Sequence, residues 1–407
     1  MELLLWSDSV NPRFMLKTTL PIFFLLITAS KLLLACTIAV FSPSATSYGR
    51  PILFKTRDVT RAEQTYIYVD GPIPFIGVTY VDQLNCVYAG VNAAGFGIVN
   101  TDTYNHGPWR GSGITDGELM YIALSRCRTV WDFMDILDSL IYDSVFFAAT
   151  HCYGVIDQYG NAGMVEVGSV DFIYYSALSS RSGFLVRTNF SLSGDLAIRP
   201  GMSRYIRARA LAERYSPIDC RGVYNLISDL ATINFIPYPL PFEDTVAGLP
   251  FGHISTFETI NRFTTKTYQI IVGRLAGDGI EYPFMFSGFG QPFISVPAPL
   301  WVFSKTIPPQ LSGINPPLRE FALSFVARAY DTPFDWAINT FIADSIYSAL
   351  SSVRDSVFAM VDDSLSEWRE HSPDTSMLAS FQQYVADMIE RHCRLLSERL
   401  FSGESRR

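Results

Sequence analysis

Cys36 directly follows Ala35 at the end of a greasy run, and Asp58 closes the segment Lys55-Thr56-Arg57-Asp58 soon after it. A cysteine at such a boundary has four readings: the last residue before a cut, the first after one, a lipid anchor, or an ordinary buried thiol. As the first residue after a cut it carries two useful groups. The thiolate is a nucleophile, and the freed α-amine, with an ordinary pKa of about 7.7–8.0, can serve as general base. Asp58, on a paired strand, could hold that amine in place. Taken alone, the two residues fit a small buried hydrophobe and a turn starter better, so the surrounding sequence has to decide.

Upstream, Arg13 and Lys17 precede the apolar run Leu20–Ala29 (LPIFFLLITA). This is a positive segment followed by an apolar one of signal-peptide length, shorter than the ~20 residues a spanning helix needs. Residues 1–35 are therefore expected to be a leader removed on maturation, with Met15 as an alternative start. The chain is expected to be exported, to a periplasmic, extracellular or lumenal space. Three fates of the boundary remain open. Signal peptidase prefers small residues at the last and third-last positions; Ala35 fits and Leu33 does not. Leu33-Leu34-Ala35-Cys36 resembles a lipobox, and a lipidated Cys36 would have both its amine and its sulfur blocked. In self-cleavage, Cys36 attacks its own preceding carbonyl.

Downstream, Cys36–Phe41 alternates and is rich in β-branched residues, which predicts a strand. Ser42–Arg50 is a polar turn and Pro51–Asp58 the returning strand. A strand that begins at the cysteine leaves little tether for a lipid anchor, which favours Cys36 as a structural N-terminus.

Composition narrows the function classes. The chain has 407 residues, 48% hydrophobic and 17% charged, with a net charge of -8. That suffices for a large core, and an acidic chain lacks the basic stripe that neutralises phosphates, so nucleic acid is excluded as a partner. The six cysteines are scattered with no CxxC pair, and the five histidines form no HExxH spacing. No metal or organic cofactor is implied.

Cys36-Thr37 followed by Lys55-Thr-Arg-Asp58 resembles the start of the choloylglycine-hydrolase and penicillin-acylase group of N-terminal nucleophile hydrolases, in its secreted branch. More motifs follow in family order. Gly90-Val-Asn-Ala-Ala-Gly95-Phe-Gly-Ile-Val-Asn100 is similar to the hairpin that ends in an oxyanion-hole Asn. Tyr153–Glu166 resembles a strand–turn–strand hairpin. Arg187-Thr-Asn189-Phe-Ser191 is similar to the segment bringing a second active-site Asn. Met202-Ser-Arg204-Tyr resembles the helix start whose Arg lies behind the catalytic Cys. Gly252–Ile260 resembles the block that closes the sheet. The matches span roughly Cys36 to Pro299.

The resemblance implies an α+β, four-layer αββα sandwich and a linear-amide C–N hydrolase working through an acyl-thioester. It implies catalytic roles for Cys36, Lys55, Asp58, Asn100, Asn189 and Arg204, with either Lys55 or Arg57 as the positioning cation. The expected partner is a small-molecule N-acyl amide, and the membrane is involved only through the leader or a lipid anchor. An acyltransferase with the same machinery, and a non-enzymatic lipoprotein anchored through Cys36, are the alternatives.

The residue types agree with that chemistry. Asn amides are neutral, easily aimed oxyanion donors. An Arg in a first helical turn is usually a solvated charge, but Arg204 turned inward could help lower the thiol pKa. Asn189-Phe-Ser191 also fits a glycosylation acceptor, which the match to the active-site Asn outweighs. A dyad of Cys36 with His106 or His151 is set aside because no residue that would orient the histidine is evident. Cys152 reads as a core thiol.

The elements that must position these residues follow. Thr115–Leu140, Arg204–Tyr215 and Gly222–Ala231 carry helical spacing. Pro237–Pro250 reads as a long surface loop and Pro297–Pro317 as a second Pro-rich crossing. Ile346–Trp368 and Leu378–Leu395 predict a helical hairpin, broken at Ser372-Pro373 with Pro as a first helical residue. The expected organisation is a hydrolase domain over 36–317, a helical extension over 318–400 packed on its outer face, and a disordered tail over 401–407. Use of the hairpin for homo-oligomerisation is the alternative.

Overall fold

The computed structural model describes residues 35–106, 113–145, 147–168, 170–231, 240–246, 248–330 and 334–401. The expected leader up to residue 34, the tail over 402–407 and part of the Pro237–Pro250 loop lie outside these residues.

The alternating segments pair as the sequence predicts. β1 (Thr37–Phe41) runs antiparallel to β2 (Ile52–Asp58), with Ile38 opposite Lys55. A six-stranded sheet has the order β10-β1-β2-β12-β13-β14, adding β10 (Phe184–Arg187), β12 (Thr265–Val272), β13 (Phe284–Phe289) and β14 (Ala298–Trp301). A seven-stranded sheet runs in chain order from β3 (Gln64–Val69) through β4 (Phe75–Tyr80), β5 (Ala89–Asn92), β6 (Gly97–Asp102), β7 (His151–Ile156) and β8 (Ala162–Val167) to β9 (Phe172–Ser176). Neighbouring strands in both sheets pair antiparallel, so hairpins suffice to connect most of them.

The sheets stack face to face over Ile38, Leu53, Val99, Ile156 and Met164, all buried. Gly97 and Gly154 let them approach closely: a Cβ on Gly154 would stand 3.3 Å from Leu53 Cδ2. The outer face of the seven-stranded sheet is covered by α1 (Asp116–Arg126) and α2 (Val130–Tyr142), through Leu119, Met120, Phe133 and Leu137. The outer face of the other sheet is covered by α3 (Met202–Arg214), α4 (Cys220–Ile227), α5 (Pro317–Ala329), α6 (Thr340–Glu370) and α7 (Thr375–Phe401). The result is the four-layer αββα sandwich, with its helical hairpin.

Three expectations need correction. Thr115–Leu140 is two helices, because Thr129 starts a second capping box with Asp132 and the Asn92 amide donates to the carbonyls of Leu124 (2.9 Å) and Cys127 (2.8 Å) between them. Pro373 precedes the last helix; Asp374 caps it, accepting from the Met377 amide at 2.8 Å. The Gly252–Ile260 block joins neither main sheet. Its strand β11 (His253–Ser255) pairs with β15 (Ala337–Asn339) in a separate two-stranded sheet.

The helical hairpin is bound to the sheet through Trp301, which is fully buried on β14. Its indole packs against Phe284, Trp368 and Phe381 with ring centroids 5.4, 5.5 and 5.6 Å away, and Nε1 donates to the Glu281 carbonyl at 2.9 Å. Trp301→Ala should therefore destabilise the protein by about 3–5 kcal/mol, read as a lower urea midpoint. An unchanged midpoint would show that the hairpin docks elsewhere.

Candidate active site

Cys36 is half-buried at the head of β1, in the middle of the six-stranded sheet. Side chains alternate along a strand, so Cys36 shares the inner face with Ile38, and Ile38 lies opposite Lys55. Thr37 points the other way, toward α3. The thiol opens onto a cavity of about 280 Å³ whose walls include Lys55, Arg57, Asp58, Asn100, Asp102, Asp116 and His151.

β2 supplies three charges to this cavity. Lys55 is buried; its Nζ donates to the Tyr88 carbonyl at 2.8 Å and to Asn100 Oδ1. Burial pulls the Lys55 ammonium down to about 8, with the Cys36 thiolate opposing. Arg57 sits two residues on, on the same face, and donates to the Tyr80 hydroxyl at 2.9 Å. Asp58 is fully buried. Its Oδ1 accepts from Thr265 Oγ1 at 2.6 Å, and Oδ2 stands 3.8 Å from Arg262 Nη1, with no hydrogen bond of its own among the described residues. Burial pushes the Asp58 carboxyl up to about 6, against the pull of Arg262 and then Arg204.

The expected oxyanion residues differ in placement. Asn100 lines the cavity, and its amide donates to Asp116 Oδ2 at 2.8 Å while Lys55 holds its carbonyl end. Asn189 lies just outside the wall. Both of its amide hydrogens are engaged, by the Asp102 carbonyl (3.0 Å) and Thr101 Oγ1 (3.4 Å). It is 1% exposed, so it is no accessible glycosylation acceptor in this fold.

Arg204 is turned inward and buried. Nη1 donates to the carbonyls of Ala35 (3.1 Å) and Cys36 (2.9 Å) and to Thr37 Oγ1 (2.9 Å), and Nη2 to Asn189 Oδ1 (2.7 Å). Gly201 makes this geometry available: it caps α3 with φ +78°, and a Cβ there would lie 2.4 Å from Arg204 Nη2.

The Cys36 thiol is pushed up by burial. Lys55 opposes this, Asp58 and Asp102 add to it, and Arg57 opposes it. In the chain as described, with Ala35 still attached, the thiol is thus held protonated and needs a base. The structure also supplies the residue that the sequence did not disclose as a partner for His151. Asp102 faces His151 across the β6–β7 register, with Oδ1 3.1 Å from Nδ1. Burial works against both charges; their mutual attraction at this distance outweighs it, keeping the Asp102 carboxyl below its ordinary range and the imidazole pKa above its own. Asp116, at the start of α1, and Arg262 were likewise unforeseen. Asp102, Asp116 and His151 present ligand atoms within 4.8 Å of one another, close enough to share a cation; here Asp102 pairs with His151, and Asp116 accepts from the Asn100 amide. Cys152 is a buried core thiol, as read from the sequence.

No family model matches the chain, and no curated protein matches it. Among solved structures, it is similar to an N-acylethanolamine-hydrolyzing acid amidase ortholog from Caenorhabditis elegans (TM-score 0.41, 15% identity, 60% of this chain and 94% of that one). It is similar to a penicillin V acylase from Agrobacterium tumefaciens (TM-score 0.39, 12% identity, 65% and 85%). It is also similar to a variant conjugated bile acid hydrolase from Clostridium perfringens (TM-score 0.40, 12% identity, 68% and 95%). Likenesses this distant say nothing about what this chain turns over.

The two buried charges of β2 give the uncut chain a defined pH signature. The folded Asp58 pKa, about 6, lies above the ordinary 3.8, so its contribution is present at low pH and is lost as pH rises from about 4 to about 6. The folded Lys55 pKa, about 8, lies below 10.5, so stability rises again with pH between those values. Asp58→Asn should flatten the first slope and Lys55→Met the second, in denaturant midpoints measured from pH 4 to 10.5. Slopes unchanged in the variants would remove both residues as the titrating groups.

Proposed function

We propose that the chain is a hydrolase of linear, non-peptide amide bonds in N-acyl substrates, exported and matured by loss of residues 1–35, with Cys36 as N-terminal nucleophile. The observation that carries this reading is the company of the thiol: a fully buried carboxylate oxygen, Asp58 Oδ2, that lacks a hydrogen bond among the described residues and borders the same cavity. A buried acceptor left unpaired costs about 1–3 kcal/mol. An ammonium at Cys36, created when the Ala35–Cys36 bond is broken, offers the missing donor and also lowers the thiol pKa.

In this mechanism the α-amine of Cys36 takes the thiol proton and the sulfur attacks the amide carbonyl. The oxyanion of the tetrahedral intermediate is held by Asn100 and Asn189. The leaving amine takes its proton from the α-ammonium, and water then cleaves the thioester to the carboxylic acid. Asp58 orients the amine. Lys55 fixes Asn100 and favours the thiolate, and Arg204 holds the Cys36 carbonyl and Asn189. An acyltransferase would differ only in using an amine in place of water.

The Asp102–His151 pair favours a second reading, in which His151 takes the Cys36 proton and no cut is needed. No hydrogen bond joins His151 to Cys36 among the described residues, which is why the amine is preferred here.

A panel of N-acyl amides separates these readings. Mature protein should turn over at least one of them, and Cys36→Ala should lower kcat/KM by at least ~10⁴-fold. Asn100→Ala should lower kcat by about 10²–10³-fold, and Asn189→Ala by less, since its donors must first leave Asp102 and Thr101. Full activity of the uncut chain, lost in His151→Ala, would favour the second reading. Turnover that survives Cys36→Ala would overturn both.

A further inference from the structure

Arg57 is a buried cation in the cavity with no anion of its own. It is 4% exposed, and no carboxylate forms an ion pair with it among the described residues. Its Nη1 donates to the Tyr80 hydroxyl at 2.9 Å, while Nε and Nη2 make no hydrogen bond among those residues. The acids that share the cavity have other nearest partners: Asp102 stands 3.1 Å from His151, Asp116 accepts from Asn100, and Asp58 accepts from Thr265 and lies nearer Arg262; Arg57 acts on Asp102 only as the weakest of the charges that hold its carboxyl down. Arg354 is likewise buried between two tyrosine rings with Nη1 unpaired among the described residues, but it does not line the Cys36 cavity, and two other buried arginines are answered. Arg187 meets Glu166 at 2.6 Å, and Arg319 donates to the Gln64 carbonyl at 3.0 Å. Lys55, the other cation of the wall, is engaged by Tyr88 and Asn100.

The guanidinium is also pinned. Its carbon lies 3.9 Å from the ring centroid of Tyr88 and 4.6 Å from that of Tyr80. Tyr88 is fixed in turn by donating to Gln83 Oε1 at 2.7 Å and by packing edge-on to Tyr80. A planar fork held between two rings, with one edge free in a cavity, is preorganised for a planar anion. Leaving such a charge buried without a counterion is expensive unless a ligand completes it.

We propose that Arg57 recognises a carboxylate on the substrate, so that the amides this chain takes are anionic. This rests on the reading of Cys36 as the amide nucleophile, because Arg57 shares its cavity. The carboxylate can lie on the amine side of the scissile bond, as in an N-acylglycine, or on the acyl side, as in the monoamide of a dicarboxylic acid. A neutral N-acylethanolamine of the same acyl length lacks the group that Arg57 needs.

The test is binding, kept apart from turnover. Cys36→Ala in the full chain removes the nucleophile, so binding is read without turnover. Calorimetric titration with an N-acylglycine, a dicarboxylic monoamide and the matching N-acylethanolamine should show one of the two acids binding about 10- to 100-fold tighter than the neutral amide. Adding Arg57→Met should abolish that preference, and Arg57→Lys, which keeps the charge but not the fork, should restore part of it. Melting curves of each variant establish that it is folded. Equal affinity for acids and neutral amide, no binding of any of them, or a preference that survives Arg57→Met would overturn the proposal. Arg57-dependent binding of an acid by a protein that hydrolyses no amide would leave this site standing and sink the hydrolase reading. Amide hydrolysis indifferent to charge would do the reverse.

Discussion

A buried guanidinium fixes where the first strand begins. Arg204 spends its donors on the backbone of residues 35 and 36, on Thr37 and on Asn189, so one side chain ties the head of β1 to the loop after β10 and, through Asn189, to the end of β6. Hydrogen bonds from a charged donor in a water-poor interior are strong; if the Arg moved away, Asn189 Oδ1 would lose its donor, and the carbonyls of residues 35 and 36 would keep only the longer bonds from Arg262 (3.5 Å) and Thr101 (3.4 Å). Cys36 is therefore held by its carbonyl while its thiol stays free to face the cavity. Without that anchor the terminus of a strand freed by a cut would fray, as chain ends do.

The sandwich supplies the rest by geometry. β1 and β2 sit in the middle of one sheet and β6 and β7 in the middle of the other, so stacking the two brings Cys36, Lys55 and Asp58 against Asn100, Asp102 and His151. The electrostatics then follow from burial. Desolvation raises the thiol and Asp58 and lowers Lys55, and the ion pairs only partly offset this. Such opposed shifts within one cavity are what acid–base chemistry near neutral pH requires. In the uncut chain the balance leaves the thiol protonated; a new positive charge on the nitrogen of Cys36 would shift both it and Asp58 downward.

Much of this was legible along the chain. The alternation of Cys36–Phe41 and Pro51–Asp58 gave the central hairpin because a period of two is local, and the spacing of Ile346–Trp368 gave its helix for the same reason. What was not legible depends on register between distant strands. The Thr265–Asp58 hydrogen bond joins residues 207 apart, and Asp102 meets His151 only because β6 and β7 pair in one register. The break in the predicted helix over 115–140 has a local signal, the capping box at Thr129, but the Asn92 amide that seals it comes from β5. Arg57 looked interchangeable with Lys55 because their spacing puts both on one face. Only the partners of each, carbonyl and amide oxygens for one and aromatic rings for the other, separate them.

The most direct test of the account is the chemical state of Cys36 in the finished protein. Terminal sequencing with intact-mass analysis should find a chain that starts at Cys36, with a free amine and a thiol that takes one equivalent of alkylating reagent. A terminus elsewhere, or acyl chains on Cys36, would contradict the chemistry proposed for the site while leaving the αββα fold in place.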